Sequence, residues 1–301
     1  MQGRRPSICV GVPVWHGADV VGETLESVLR QREVDLTIFI SVDGPDEGSE
    51  KSCRPFLADS RVRLVIQPAR LGWARNSAVV LAAAGALGAG YGCVQPHDDV
   101  VKEGYLATLL EVAERSPAAA VVYSDIEVLG APERKVVQHS VTGSPMTRQL
   151  DLLANHFNAV AWRGLTRVTA LSRVSAVGRA AFGDFAADTV WMARLARAGE
   201  LIRVPEALYK KRFTGKGAHE EWRTWPQQRK MQAWTEHCLA MLDEALPVAA
   251  DADDRRNLID AARLRLLESV RPLDSFRREL TTLTPPKRAQ MLAAFDAALE
   301  Q

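Results

Sequence analysis

Only four cysteines stand in 301 residues, and no two of them form a CxxC pair. Cys9, Cys53, Cys93 and Cys238 therefore read as small core residues or surface thiols in a reducing cytoplasm. No charge of one sign dominates either. Thirty-eight basic side chains meet 37 acidic ones, a formal net charge of +1 that builds no field to hold a nucleic acid. The short basic clusters Arg4-Arg5, Lys210-Lys211-Arg212 and Arg255-Arg256 read as solvated faces. Long apolar runs are missing too. The least polar stretch, Val79 to Val94, is rich in Ala and Gly and too short to span a bilayer, so no transmembrane segment is expected. The run after Arg4-Arg5 is a short strand, not a signal-peptide core. A P-loop and an HExxH pair are absent, and Gly88 to Gly92 approaches a dinucleotide fingerprint only in the wrong order, before a strand. Together these absences leave a soluble, cytoplasmic protein, with contact at a membrane surface left open.

What is present is an ordinary globular balance, 47% hydrophobic and 25% charged. The length suits one large α/β domain or a catalytic domain with an appendage. Short β-branched runs alternate with amphipathic stretches, the pattern of βα units over a mostly parallel sheet. The spacing predicts strands at 8–14, 36–43, 62–67, 91–95 and 119–124, with helices at 20–31, 72–87 and 102–115. Beyond residue 125 it predicts a strand at 136–141, helices at 146–154 and 187–198, and strands at 201–204 and 208–213. From residue 220 the chain reads as helical. One stripe is Met231, Trp234, Cys238 and Met241, a second is Leu258, Ala262, Leu266 and Val270, and a last helix carries Met291, Phe295 and Leu299.

Ligands of open parallel sheets bind where strands end at their C-terminal edge. Three such ends carry polar groups: Pro13-Val14-Trp15-His16-Gly17, Asp43-Gly44-Pro45-Asp46 and Gln95-Pro96-His97-Asp98-Asp99. Adjacent carboxylates at a strand mouth repel unless a cation or hydrogen-bond donors offset them. Oxygen ligands of this kind suit Mn²⁺ or Mg²⁺ bound through one or two carboxylates and substrate phosphates. The alternative is a helix-capping Asp99 beside a solvated Asp98.

The segments ICVGVPVWHGADVVGETLESVLRQ, FISVDGPDEGSE, RLGWARNSAV and HDDVVKEGYLATLLE, in that order and spacing, resemble glycosyltransferase family 2 over residues 7–215. The resemblance implies a GT-A fold: α/β, Rossmann-like, with a mostly parallel central sheet, flanking helices and a C-terminal helical extension. It implies a catalytic domain over 1–219, divided into a nucleotide-sugar half (1–125) and an acceptor half (126–219), followed by helices over 220–301. Asp43 then matches the turn Asp that binds the nucleobase or ribose, and Pro13 and Trp15 match the groups framing the base. Arg75 and Asn76 match the helix start beside the nucleotide, with an Arg75–Asp43 ion pair as the alternative. Asp98 matches the metal ligand that bridges the diphosphate, Asp99 a supporting carboxylate, and His97 a hydrogen-bonding neighbour at the variable position. Val42 and Pro96 stand where the family carries acids.

The later segment AFGDFAADTVWMARLARAGELIRVPEALYKKRF resembles the family stretch in which an Asp opens a helix and a Tyr-x-x-Arg strand follows. Asp188 matches the catalytic base, preceded by Ala187 where Glu is usual; a plain helix cap is the alternative. Inverting transfer needs such a carboxylate to take the acceptor hydroxyl proton. Lys216 and His219, in the loop after the last expected strand, are candidates to close over the diphosphate. Trp222 and Trp225 are candidates to stack on sugar faces, whereas Trp191 reads as core. The implied partners are a nucleoside-diphosphate sugar, UDP-linked as the family's commonest, and a carbohydrate or other hydroxyl acceptor. A homodimer through the C-terminal helices is a further expectation. Rival readings are a sugar nucleotidyltransferase, whose Gly-rich basic signature Gly11 to Gly17 does not supply, and a noncatalytic sugar-nucleotide-binding or assembly subunit.

Overall fold

A computed structural model describes residues 6–155, 159–173, 184–213, 218–268, 280 and 282–300. The chain divides into two compact units, each assembled from three stretches. Unit 1 comprises residues 1–140, 158–178 and 198–212, and unit 2 residues 141–157, 179–197 and 213–301. Residues 141–157 and 179–197 thus fall with the C-terminal helices, a division that does not run along the chain as a single cut near 219.

Unit 1 holds the sheet. Its described strands are β1 (Ile8–Val14), β2 (Leu36–Val42), β3 (Val62–Ile66), β4 (Tyr91–Val94), β5 (Val100–Val101), β6 (Ala119–Val128), β7 (Ala131–Val136), β8 (Leu165–Arg167) and β9 (Glu200–Lys211). They run in the order β3-β2-β1-β4-β8-β6-β9-β5, with β7 on β6. β1 pairs in parallel with β2 from Ile8↔Leu36 to Val14↔Val42, and on its other side with β4 from Ile8↔Tyr91. β8 is antiparallel to both β4 and β6, and β9 runs parallel to β6. The core strands are near-continuous apolar runs because helices cover the sheet. Ile8, Val10, Val12, Val14, Ile38 and Ile40 are all buried.

The helices of this unit follow the expected pattern. α1 (Val21–Leu29) buries Val21, Leu25 and Val28. α3 (Trp73–Ala86) is Ala-rich, and α4 (Tyr105–Arg115) buries Leu106, Leu109 and Leu110. α2 (Glu47–Cys53) was not expected, because its sequence EGSEKSC has no apolar period; its start is set by Asp46, whose side chain accepts the Ser49 N–H. The expected strand at 136–141 is instead β7, five residues earlier, where charged side chains suit an edge strand. The two strands expected over 201–213 form one, β9, with register irregularities against β6.

Unit 2 is helical: α5 (Pro145–Ala154), α7 (Ala187–Ala198, whose last residue returns to unit 1), α8 (Ala218–Thr224), α9 (Gln227–Ala245), α10 (Ala252–Glu268) and α11 (Pro285–Leu299), with the short α6 (Val168–Leu171) lying in unit 1. Met231, Trp234, Cys238 and Met241 are buried, as are Leu258, Ala262 and Leu266 of α10; Val270 lies outside the described residues. Buried Arg148 of α5 caps the C-terminus of α7, donating from Nε to the Ala196 carbonyl at 2.6 Å. Arg194 and Arg197 of α7 share Glu244 of α9 at 2.5 and 3.1 Å. No described helix is long and apolar enough to cross a membrane.

Candidate active site

The strand order reverses at β1: α1 leads outward to β2 and β3, and α3 brings the chain back to β4 on the other side. The C-terminal ends of β1 and β4 therefore flank a topological switch point, the place where open α/β sheets bind ligands. Both ends carry residues singled out from the sequence, and side-chain bonds tie them together. His97 Nδ1 lies 3.2 Å from the Pro13 carbonyl, so that nitrogen carries the proton. The hydroxyl of buried Thr24 on α1 reaches the carbonyls of His97 and Asp99 at 2.7 and 2.8 Å. At the end of β1, the His16 N–H donates to Asp46 at 2.7 Å and the Gly17 N–H to the Ser49 hydroxyl at 2.9 Å. Burial pushes the Asp46 carboxyl up, but hydrogen bonds from Ser49 and His16 outweigh it and hold it below the usual carboxylate value.

The end of β2 fastens another loop. Asp43, 2% exposed, accepts the Leu71 N–H at 2.6 Å and the Gly72 N–H at 3.0 Å. Gly44 makes this approach feasible: its φ is +89°, and a Cβ there would lie 2.9 Å from the Arg70 nitrogen. The loop so held lays the Arg70 guanidinium over the Trp15 ring, 4.5 Å from its centroid. Arg75 is exposed on the first turn of α3 and makes no ion pair with Asp43. Asn76 faces inward instead. It is 1% exposed, accepts from the Ser41 hydroxyl at 2.6 Å and donates to the Ser41 carbonyl at 2.9 Å. Its amide joins α3 to β2 at the helix start that the family resemblance sets beside the nucleotide.

Asp98 and Asp99 are adjacent but differ in burial and in side-chain partners. Asp99 is 1% exposed and fully engaged. Oδ2 accepts from the Tyr209 hydroxyl at 2.8 Å and from Arg163 Nε at 3.2 Å, while Oδ1 accepts the Arg212 N–H at 2.9 Å. These donors offset its charge and tie Asp99 to the strand that carries Tyr209. Asp98 is half-buried. Burial and the Asp99 charge push its carboxyl up, against weaker opposition from His97 and Arg163. Its backbone carbonyl accepts from Arg212 Nε at 3.0 Å, and the same guanidinium reaches Glu23 on α1. Arg163, Tyr209 and Arg212 had no assigned role in the sequence reading. Tyr209 and Arg212 were legible as the Tyr-x-x-Arg strand; Arg163 had no local signal.

Asp188 belongs to unit 2, in the first turn of α7, where Oδ1 accepts the Thr189 N–H at 2.9 Å. Lys216 lies outside the described residues, as does the side chain of His219. Trp222 and Trp225 are 8% and 7% exposed and pack on Phe185, with ring centroids at 4.8 and 5.9 Å. Their faces are covered, so neither offers a platform for a sugar. Trp191 is core, 3% exposed.

Among the described residues, no group of three or more His, Cys, Asp and Glu side chains is placed to hold a metal ion. Among the described residues at the strand ends, the candidate donor is the half-buried carboxylate of Asp98, beside the engaged Asp99. That fits a divalent cation of the Mn²⁺ or Mg²⁺ kind only if substrate phosphate oxygens supply further ligands, as such ions commonly require.

Comparison with known proteins gives four findings. The family model described as Glycosyl transferase family 2 matches residues 9–171. Glycosyltransferase GlyG of Streptococcus pneumoniae serotype 4 is 28% identical over 116 residues; the match spans 38% of this chain and only 38% of that protein's length. Among solved structures, residues 1–349 of S. aureus TarS in complex with UDP-GlcNAc superpose with a TM-score of 0.68 at 12% identity, over 96% of this chain and 80% of that one. The mannosyltransferase PcManGT from Pyrobaculum calidifontis, in complex with GDP-Man and Mn²⁺, superposes with a TM-score of 0.60 at 16% identity, over 98% of this chain and 76% of that one.

Proposed function

The chain belongs to glycosyltransferase family 2 and has its GT-A fold, and from that premise we propose that it moves a sugar from a nucleoside-diphosphate donor to a hydroxyl acceptor with inversion. The observation that carries this reading is Asp98, a half-buried carboxylate at the sheet's switch point beside the fully engaged Asp99. Raising the energy of an ionised carboxylate before ligand arrives makes a cation and its diphosphate the natural partners of that group. A bound Mn²⁺ or Mg²⁺ would there offset the charge that grows on the departing diphosphate.

The remaining assignments concern the chain's own residues. Trp15, with Arg70 over its ring, and the loop held by Asp43 frame the nucleobase, which we take to be uracil; the exposed Arg75 supplies a cation near the donor. His97 and the Pro13 carbonyl keep the two strand ends in register so that donor contacts on both stay aligned. Asp188 takes the proton of the acceptor hydroxyl as that oxygen bonds to the anomeric carbon and the bond to diphosphate breaks. It stands in the first turn of α7, where the helix fixes its position.

Thermal unfolding with UDP, GDP, UDP-GlcNAc or GDP-mannose, each with and without Mn²⁺, tests the proposal. A fitting nucleotide at a hundred times its Kd should stabilise the protein by about 2.7 kcal/mol. Absence of a shift with every nucleotide, in the presence of Mn²⁺, would overturn it.

A further inference from the structure

The helix that carries Asp188 begins on an unusual backbone. Asp184 and Ala186, two of the three residues before Ala187, are non-glycine residues in the left-handed region, at φ 68° and 49°. L-residues with a Cβ adopt this conformation at a cost, and it persists only where surroundings over-determine it. Between them sits Phe185, 5% exposed. Its ring meets Trp222 at 4.8 Å and His237 at 6.0 Å, both edge-on, and Trp225 at 5.9 Å. The first bonds of α7 start from this turn: Ala187 N–H donates to the Asp184 carbonyl at 3.3 Å and Thr189 N–H to the Ala186 carbonyl at 3.1 Å. Thr189 N–H also meets the Asp188 carboxylate. The aromatic pocket, the turn and the carboxylate therefore form one chain of contacts within unit 2.

We propose that Phe185 is a positioning residue for Asp188: its ring, held among Trp222, Trp225 and His237, keeps the left-handed turn in place and so sets where the Asp188 carboxylate stands. Phe185 touches no reacting atom on this account. It converts the burial of the α8–α9 aromatics into a fixed starting point for α7, and gives Trp222 and Trp225 a task other than stacking on sugar. The inference rests on Asp188 being the base.

The test compares Phe185→Ala, Phe185→Leu and the double variant Phe185→Ala/Ala186→Gly with the wild type. The readout is release of nucleoside diphosphate from UDP-GlcNAc or GDP-mannose with a panel of hydroxyl acceptors. A carboxylate displaced by about 1 Å costs on the order of 100-fold in kcat, so Phe185→Ala should lose that much while its donor KM stays within about twofold. Phe185→Leu, which refills much of the pocket, should recover most of the loss. Ala186→Gly removes the Cβ that opposes φ 49°, so the double variant should regain activity over Phe185→Ala alone. If Phe185→Ala does not fold, Phe185→Val carries the comparison: a kcat-specific loss larger than that of Phe185→Leu is expected, and an unchanged kcat in Phe185→Val overturns the proposal. A folded Phe185→Ala with wild-type kcat, or a loss confined to KM or melting temperature, overturns it. Asp188→Asn is measured in parallel. Full transfer by Asp188→Asn removes the base assignment itself, whereas an inactive Asp188→Asn beside an active Phe185→Ala removes only the positioning role.

Discussion

The Nδ1–H of His97 donates to the main-chain carbonyl of Pro13 across 3.2 Å, joining the ends of two strands separated by 84 residues in sequence. Next to this bond Gly17 leaves no spare room: a Cβ there would stand 2.6 Å from His97 Cδ2 and 3.0 Å from Val14 Cγ1. Gly17→Ala must push the imidazole off the Pro13 carbonyl, and overpacking of this kind costs about 1–3 kcal/mol. His97→Ala should relieve the clash. In chemical denaturation the double variant is expected to lose less stability than the two single losses added, with a coupling of about 1 kcal/mol. Strict additivity would show that the ring and the glycine do not meet.

Asp98 and its neighbour should respond oppositely to loss of charge. The Asp98 carboxylate is held against burial and the Asp99 charge, so Asp98→Asn should leave the unliganded protein as stable as wild type or more stable. Calorimetric titration with UDP or GDP and Mn²⁺ should then show affinity weakened by tenfold or more, roughly the scale of metal-site losses. Equal affinity with and without Mn²⁺, in both proteins, would remove the metal assignment.

Asp99→Asn removes the carboxylate facing Arg163, whose side chain is 14% exposed. Loss of the charge that meets Arg163, the Tyr209 hydroxyl and the Arg212 N–H in this largely buried place should destabilise by about 3 kcal/mol. Tyr209→Phe deletes only one neutral donor to the same carboxylate and should cost about 1 kcal/mol. Urea midpoints at unchanged slope would separate the two; similar midpoints would show that the ion pair contributes nothing beyond a hydrogen bond.

Asp46 links stability to pH. Its carboxyl titrates below the ordinary value of 3.8, so the folded state gains from its ionised form above that value. The gain disappears as pH falls through the lower folded value, because the folded protein then takes up the same proton as the unfolded chain. Asp46→Ala should cost about 1 kcal/mol at neutral pH, as for other lost helix caps. The gap between variant and wild type should narrow as the solution is acidified below pH 3.8. A gap that stays constant down to the acid limit would exclude this carboxylate as its source.

The half of the chain that builds the strand ends was readable because its strands are long, apolar and separated by periodic helices. Ile8–Val14 and Ala187–Ala198 match their expected bounds. β5 and β8 were not readable: two and three residues carry no period, and only pairing with β9, β4 and β6 makes them strands. β7 hid for the opposite reason, since APERKV looks like a loop while the β-branched residues after it look like a strand. Asn76 and Trp222 show the limit for single side chains. Each has the right chemistry for a ligand, but its partner is fixed by long-range packing, Ser41 for one and Phe185 for the other. Arg163 could not be found at all from its surroundings, because what gives it meaning is Asp99, 64 residues earlier.

The guanidinium groups of Arg194 and Arg197 wait for Glu244, and the wait has a duration. Arg194 and Glu244 are 50 residues apart, so at about 5–20 residues per second the ribosome adds the acid roughly 3–10 s after the first arginine. The helix that carries Asp188 is therefore made well before the group that neutralises its basic face. A nascent chain halted before residue 244 would hold α7 without the carboxylate that Arg194 and Arg197 share.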